Sequence, residues 1–259
     1  MSSGFNAAPP HVPLACATRG DAIDSVHYGS VAVVDLDGRL IFTAGDPRYV
    51  TTTRSALKPL QAVPLVASGG VERFGFSLQQ VALLCASHSG EPRHVEGVAD
   101  MLRRAACTPD QLQCGIHPPL FYTVRETFPP SDARFTPLHH NCSGKHAGML
   151  ACCRHRGWPL ETYLGFDHPL QVAIRVAVAH LAGVEPARLV AGTDGCSAPN
   201  YAMPLDRLAF AYARLASGAE DARYGSAPTR LAQAQRCLEI IARSWDDALG
   251  RLKAHLEEG

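Results

Sequence analysis

The residues best placed to do chemistry are Ser55 and Lys58, in the stretch Arg54-Ser55-Ala56-Leu57-Lys58. Of 24 basic residues only three are lysines, Lys58, Lys145 and Lys253, so a surface cation in this chain is ordinarily an arginine. Arginine stays protonated in proteins, whereas a desolvated or cation-flanked lysine can become neutral. Three residues apart on a helix, Ser55 and Lys58 share a face. A neutral Lys58 would take the hydroxyl proton of Ser55 and leave an oxygen nucleophile. With 15 serines and three lysines, roughly 0.2 such spacings arise by chance, so the pair needs support from elsewhere. An exposed Ser and Lys at a helix start is the plainer account of the same two residues.

The elements that must hold this pair follow from periodicity and punctuation. Residues 30–35 and 39–43, joined by Leu36-Asp37-Gly38, have the pattern of a β-hairpin. Residues 55–67 carry Leu57, Leu60, Val63 and Val66 in helical register, and Pro59 is tolerated if it lies in the first turn. That places Ser55 at or near a helix N-terminus. Ser77 and Gln80 form a capping box for a helix reaching Leu84, Pro92 opens one to Arg104, and Thr108-Pro109 begins a short one. Residues 115–137, with five prolines, read as a surface excursion. Helices are expected over 147–153, 169–181, 204–217 and 229–257, with a short strand at 189–191. Residues 1–25 read as a loose lead-in.

Four polar stretches stand between these elements: 55–58, 87–91, 139–146 and 194–200. Polar loops at the ends of apolar helices are where sites are commonly built. Each also has a structural account. Ser87 and Ser89 suit a helix-terminal turn, Cys142 and Cys196 suit small buried hydrophobes, and Asp194 suits a turn cap. The cluster His139, His140 and His146 does not match a zinc spacing.

Composition narrows the class. An apolar share of 46%, a charged share of 19% and zero formal net charge argue for a globular chain without a nucleic-acid footprint. No apolar run approaches a membrane span. Residues 1–14 lack a basic flank followed by an apolar run, so no secretory leader is expected. Nine cysteines without a framework spacing suit a reducing cytoplasm.

Taken together, Arg54-Ser55-Ala56-Leu57-Lys58, Ala86-Ser87-His88-Ser89-Gly90-Glu91, Asn141-Cys142-Ser143-Gly144-Lys145-His146 and Gly192-Thr193-Asp194-Gly195-Cys196 resemble the rhizobial-type L-asparaginases, in order, over residues 25–216. That family is related in fold to the serine β-lactamases and glutaminases, where Ser-x-x-Lys is the catalytic arrangement. The resemblance implies an α/β (α+β) fold, with a helical region packed on a small antiparallel sheet and one domain over residues 1–259. It implies hydrolysis of L-asparagine to L-aspartate and ammonia, with Ser55 the nucleophile, Lys58 its first proton acceptor and Ser87 a second hydroxyl in the relay. Arg54, His146 and Asp194 would face substrate. Cys142, Lys145 and Cys196 would hold one zinc ion with a water as fourth ligand, and no organic cofactor is implied.

Family members continue further, with more strands and a further catalytic lysine. After Ser217 this sequence turns to Arg-rich helix, and Lys253 has no glycine-rich strand context. The expectation is a C-terminally shortened chain with an incomplete sheet, an open edge that favours a homodimer, and Ser87 deprived of its base, so that activity is impaired. A non-catalytic zinc or amino-acid-binding remnant and a serine hydrolase acting on another amide or a β-lactam are the alternatives.

Overall fold

The computed structural model describes residues 10–236. It is a mixed fold of helices and small antiparallel sheets. Strands β1 (Val12–Arg19) and β2 (Ala22–Gly29) form a hairpin turned at Gly20-Asp21, with Gly20 left-handed at φ +62°. This corrects the reading of residues 1–25 as a loose lead-in, for those of them that are described. Nearly every residue of both strands is exposed, so no apolar alternation marks them in the sequence. The expected second hairpin is present as β3 (Val31–Val34) and β4 (Leu40–Ala44).

A three-stranded antiparallel sheet follows, from β5 (Val50–Thr52), β6 (Val190–Thr193) and β7 (Pro199–Pro204), in the order β5-β7-β6. The short strand expected at 189–191 is present as part of β6, whereas β5 and β7 were not expected: β7 pairs with a segment about 150 residues away, which local pattern does not reveal. Among the described residues its outer strands, β5 and β6, each pair on one side only.

The helices are α1 (Lys58–Ala67), α2 (Gly70–Phe74), α3 (Leu78–Cys85), α4 (Pro92–Arg104), α5 (Leu120–Val124), α6 (Ser143–Arg156), α7 (Pro169–Ala182) and α8 (Leu205–Ala216). Residues 227–236 are helical, and the rest of the helix expected over 229–257 lies outside the described residues. The capping box at Ser77 and Gln80 forms with both bonds. The 115–137 excursion is largely exposed and carries α5, whose Phe121 N–H bonds the Ser89 carbonyl at 2.9 Å.

The core lies where α1, α3, α6 and α7 meet. Leu60, Val63, Leu150, Ile174 and Leu181 are fully buried there, each worth about 1.5–3 kcal/mol of transfer free energy. Helix α1 is buried from Lys58 to Val66, so a lysine begins a core helix. Helix α6 starts at Ser143, four residues before the apolar pattern announces it, because its first turn is polar yet buried. That turn rests directly on α3. A Cβ on Gly144 would lie 2.4 Å from the Leu83 carbonyl oxygen, so only glycine fits.

Candidate active site

Ser55 sits in a single 3-10 turn, Arg54–Leu57, that leads from β5 into α1. The preceding Arg54 is left-handed, with φ +48°, a conformation few non-glycine residues adopt. Ser55 is exposed while Lys58, three residues on, is 1% exposed, so the hydroxyl faces solvent above a buried amine. Burial holds the Lys58 pKa below the ordinary lysine value, with Cys142 opposing the shift and Lys145 adding to it.

The contact expected between Ser55 and Lys58 is not the one formed. Lys58 Nζ donates to Ser87 Oγ at 2.6 Å, and Ser87 Oγ is 3.1 Å from Ser55 Oγ. The order is Ser55–Ser87–Lys58. The lysine side chain thus reaches Ser87 in the loop that follows α3. Ser87 is accordingly not left without an amine, as expected from the absence of a later lysine: Lys58 is its partner.

That loop is itself anchored. His88 Nδ1 accepts from the Gly90 N–H at 3.2 Å, which leaves Nε2 to carry the proton toward Ser143 Oγ, 2.8 Å away. Ser143 Oγ in turn donates to the Leu138 carbonyl at 2.9 Å. Burial drives the His88 pKa down to about 3, so the ring is neutral. His88 and Ser143 thus hold Ser87 against the start of α6.

The first turn of α6 brings Cys142, Lys145 and His146 to the floor of the site, where they meet Cys196 from the β6–β7 loop. Lys145 Nζ donates to Cys196 Sγ at 3.0 Å. A hydrogen bond from Cys142, aided by His146 and Lys145, holds the Cys196 pKa down, and the same bond with burial raises that of Cys142. Tyr163 OH accepts the Gln113 N–H at 2.9 Å and lies 2.7 Å from His146 Nδ1, to which its own buried proton goes. The proton of His146 is then on Nε2, which is buried without a hydrogen-bond partner and belongs to a ring that interacts with Cys196.

Cys142, Lys145 and Cys196 are all buried, with Lys145 Nζ against Cys196 Sγ, and two sulfurs with a neutral amine are donors that could hold zinc. Among the described residues no group of three or more His, Cys, Asp or Glu is arranged to hold a metal ion, and here the third donor is an amine.

Asp194 closes the site from the same loop. Its Oδ1 meets Arg54 Nε at 2.9 Å, and the loop is tightened by Ser197 at φ +66°. Beside this ion pair is a cavity of about 200 Å³ lined by Thr52, Arg54, Asp194, Gly195 and Asn200. All nine site residues expected from the sequence thus lie in one run of contacts, from Arg54 and Ser55 to Cys196 and Asp194. The L-asparaginase II family model matches residues 15–241 of this chain.

The chain belongs to the L-asparaginase II family. Its activity class is accordingly that of an asparaginase-type amidohydrolase, with a small-molecule substrate. The match to L-asparaginase II runs past both limits of the resemblance read over 25–216 and takes in all four motif stretches. No curated protein matches the chain. Among the described residues no helix is long and apolar enough to cross a membrane. Sequence reasoning assigned no role to Asn200, Tyr163 or the His88–Ser143 pair. Asn200 and Ser143 lie within stretches singled out as polar, but their partners are distant in sequence and only the fold supplies them.

Proposed function

We propose that this chain hydrolyses the side-chain amide of L-asparagine through an acyl-enzyme on Ser55. The observation that carries the reading is the line Ser55–Ser87–Lys58, which ends on a buried lysine of lowered pKa. Ser55 Oγ attacks the amide carbon as its proton passes to Ser87 and the proton of Ser87 passes to neutral Lys58. Backbone N–H groups, that of Ser55 among them, hold the oxyanion. Collapse breaks the C–N bond, and the nitrogen leaves as ammonia with the proton returned through Ser87. Water then attacks the aspartyl ester, the relay takes its proton, and Ser55 is regenerated as aspartate departs. Arg54, Asp194 and His146 bind the amino-acid end of the substrate, Arg54 toward its carboxylate and Asp194 toward its ammonium.

Cys142, Lys145 and Cys196 would hold a zinc ion, with Lys145 neutral as a ligand. When bound, the ion supplies a fixed positive charge that anchors the substrate beside the relay. Eight described cysteines are unpaired, which supports a reducing compartment, the cytoplasm. Edges of the three-stranded sheet that are unpaired among the described residues support a homodimer.

Ammonia release from L-asparagine and from L-glutamine, by the intact chain and by Ser55→Ala, tests the reading. Release from L-asparagine that disappears in Ser55→Ala supports it. Equal release by Ser55→Ala removes Ser55 from the chemistry, and no release by the unaltered chain favours a binding-only protein. Metal analysis of protein purified without chelator should give about one zinc per chain, lost in Cys142→Ser or Cys196→Ser. Metal-free protein with both thiols titratable removes the zinc.

A further inference from the structure

Asn200, on the central strand β7 and 3% exposed, makes its side-chain hydrogen bonds to none of the groups assigned to proton transfer. Its side chain is nonetheless fully engaged with the residue before the nucleophile. Oδ1 accepts the Arg54 N–H at 3.1 Å, and Nδ2 donates to the Arg54 carbonyl at 3.0 Å. Oδ1 also meets the Thr53 hydroxyl at 3.0 Å, and that hydroxyl reaches the Tyr201 carbonyl at 2.8 Å. The β5–β7 ladder ends at Thr52↔Ala202, and Thr53 N–H adds one more bond to the Tyr201 carbonyl at 3.2 Å. At Arg54 the carboxamide of Asn200 stands in for the next strand residue.

This substitution has a conformational consequence. A ladder made by backbone would keep Arg54 extended. A carboxamide that offers an acceptor and a donor on one rigid plane can satisfy both backbone groups of Arg54 in the left-handed conformation it adopts, φ +48°. Left-handed backbone is disfavoured for a residue with a Cβ. It persists where surrounding contacts over-determine it, and such positions cluster at functional sites. The turn beyond is held as well, by Tyr212 OH bonding the Ala56 carbonyl at 2.7 Å. Arg54 at this φ sends its guanidinium to Asp194 while the next residue presents its hydroxyl to Ser87.

We propose that Asn200 is a positioning residue for acyl transfer: its carboxamide holds Arg54 left-handed, and through that one residue aims both the Ser55 hydroxyl and the Arg54 guanidinium. The inference rests on the reading of Ser55 as nucleophile given above. Without Asn200, Arg54 relaxes toward negative φ and the aligned form becomes a minor population. The penalty for left-handed backbone in a residue with a Cβ corresponds to roughly 5- to 30-fold in population. Glycine adopts positive φ about as readily as negative, so it retains about half of the aligned form without help.

The test is a cycle measured as kcat for ammonia release from L-asparagine, per folded protein. Asn200→Ala should lower kcat roughly 5- to 30-fold in the unaltered chain. The same substitution made on top of Arg54→Gly should cost only about 2-fold relative to Arg54→Gly alone. Equal losses in the two backgrounds would overturn the proposal, because a general loss of strand integrity is indifferent to residue 54. Asn200→Asp provides the second measurement if Asn200→Ala does not fold or Arg54→Gly is too weak to assay. It keeps the acceptor facing the Arg54 N–H and sets an oxygen against the Arg54 carbonyl, so kcat should fall with the Ser87–Lys58 pair untouched. A folded Asn200→Asp protein with full kcat overturns the clamp. Ser55→Ala, run beside these, separates the two ideas: activity surviving in it defeats the nucleophile assignment, whereas its loss there with undiminished kcat in the folded Asn200 variants defeats the clamp alone.

Discussion

Ser87 is the residue whose loss separates two relays. Spacing in the sequence pairs Ser55 with Lys58 directly, but the folded chain interposes Ser87, 3.1 Å from one and 2.6 Å from the other. Ser87→Ala should then lower kcat by about 10²–10⁴, the usual worth of general-base assistance, with KM little changed. Steady-state kinetics on L-asparagine check it, and a Ser87→Ala enzyme with full kcat would restore the direct pairing. Lys58→Arg should be as damaging, because a guanidinium keeps the charge and cannot take the proton. The same assay reads this, and undiminished activity would reduce Lys58 to an electrostatic neighbour. Lys58 is also buried, so its substitution by Arg adds volume in the interior, and unfolding should be measured beside activity.

Elements were legible in proportion to how local their causes are. The hairpin at 30–43, the Ser77–Gln80 capping box and Pro59 in the first turn of α1 were readable because each cause lies within a few residues of its effect. Strand β7 was missed because nothing between Cys196 and Pro204 alternates clearly, and its partners lie about 150 and 10 residues away. The β1–β2 hairpin was missed for a different reason, exposure of both faces. The start of α6 was read four residues late because buried polar groups in a first turn look like a loop in one dimension. That turn gives the element its own test. Gly144 lies against the Leu83 carbonyl, so Gly144→Ala must push α6 away from α3. Overpacking of this kind typically costs about 1–3 kcal/mol, and the movement would carry Cys142 and Lys145 with it. Urea unfolding should show the lost stability, together with lower kcat. An unchanged midpoint would mean that α3 and α6 have slack which their contact conceals.

At the scale of the whole molecule, the groups that anchor the site also set how it responds to acid. His88 and His94 are both buried, their rings 5.3 Å apart, and burial lowers both pKa values, that of His88 to about 3. The groups facing His88 are Ser143 and the Gly90 N–H, with His94, Lys58, His140 and His117 around it, and every charge among them opposes protonation. His94 has Glu91 and Arg93 beside it. In the native state His88 therefore stays neutral well below the range where an unfolded histidine takes up its proton, about pH 6.5. The unfolded chain binds more protons in that window, so stability rises with pH there. The contribution is fully present above about pH 6.5 and is lost progressively as the pH falls toward about 3. For His88 alone the loss between about pH 7 and pH 5 amounts to about 2 kcal/mol. Paired carboxylates act in the same direction but lower down: Asp100, held by Arg104 and opposed by burial, titrates at about 2. Urea unfolding at pH 7 and pH 5 therefore isolates the histidines, and His88→Gln, which retains a donor for Ser143, should remove about 2 kcal/mol of the difference. If the pH 7 to pH 5 loss is the same with and without His88, then His88 is protonated in the folded protein, and the loop that carries Ser87 is held by a charged ring.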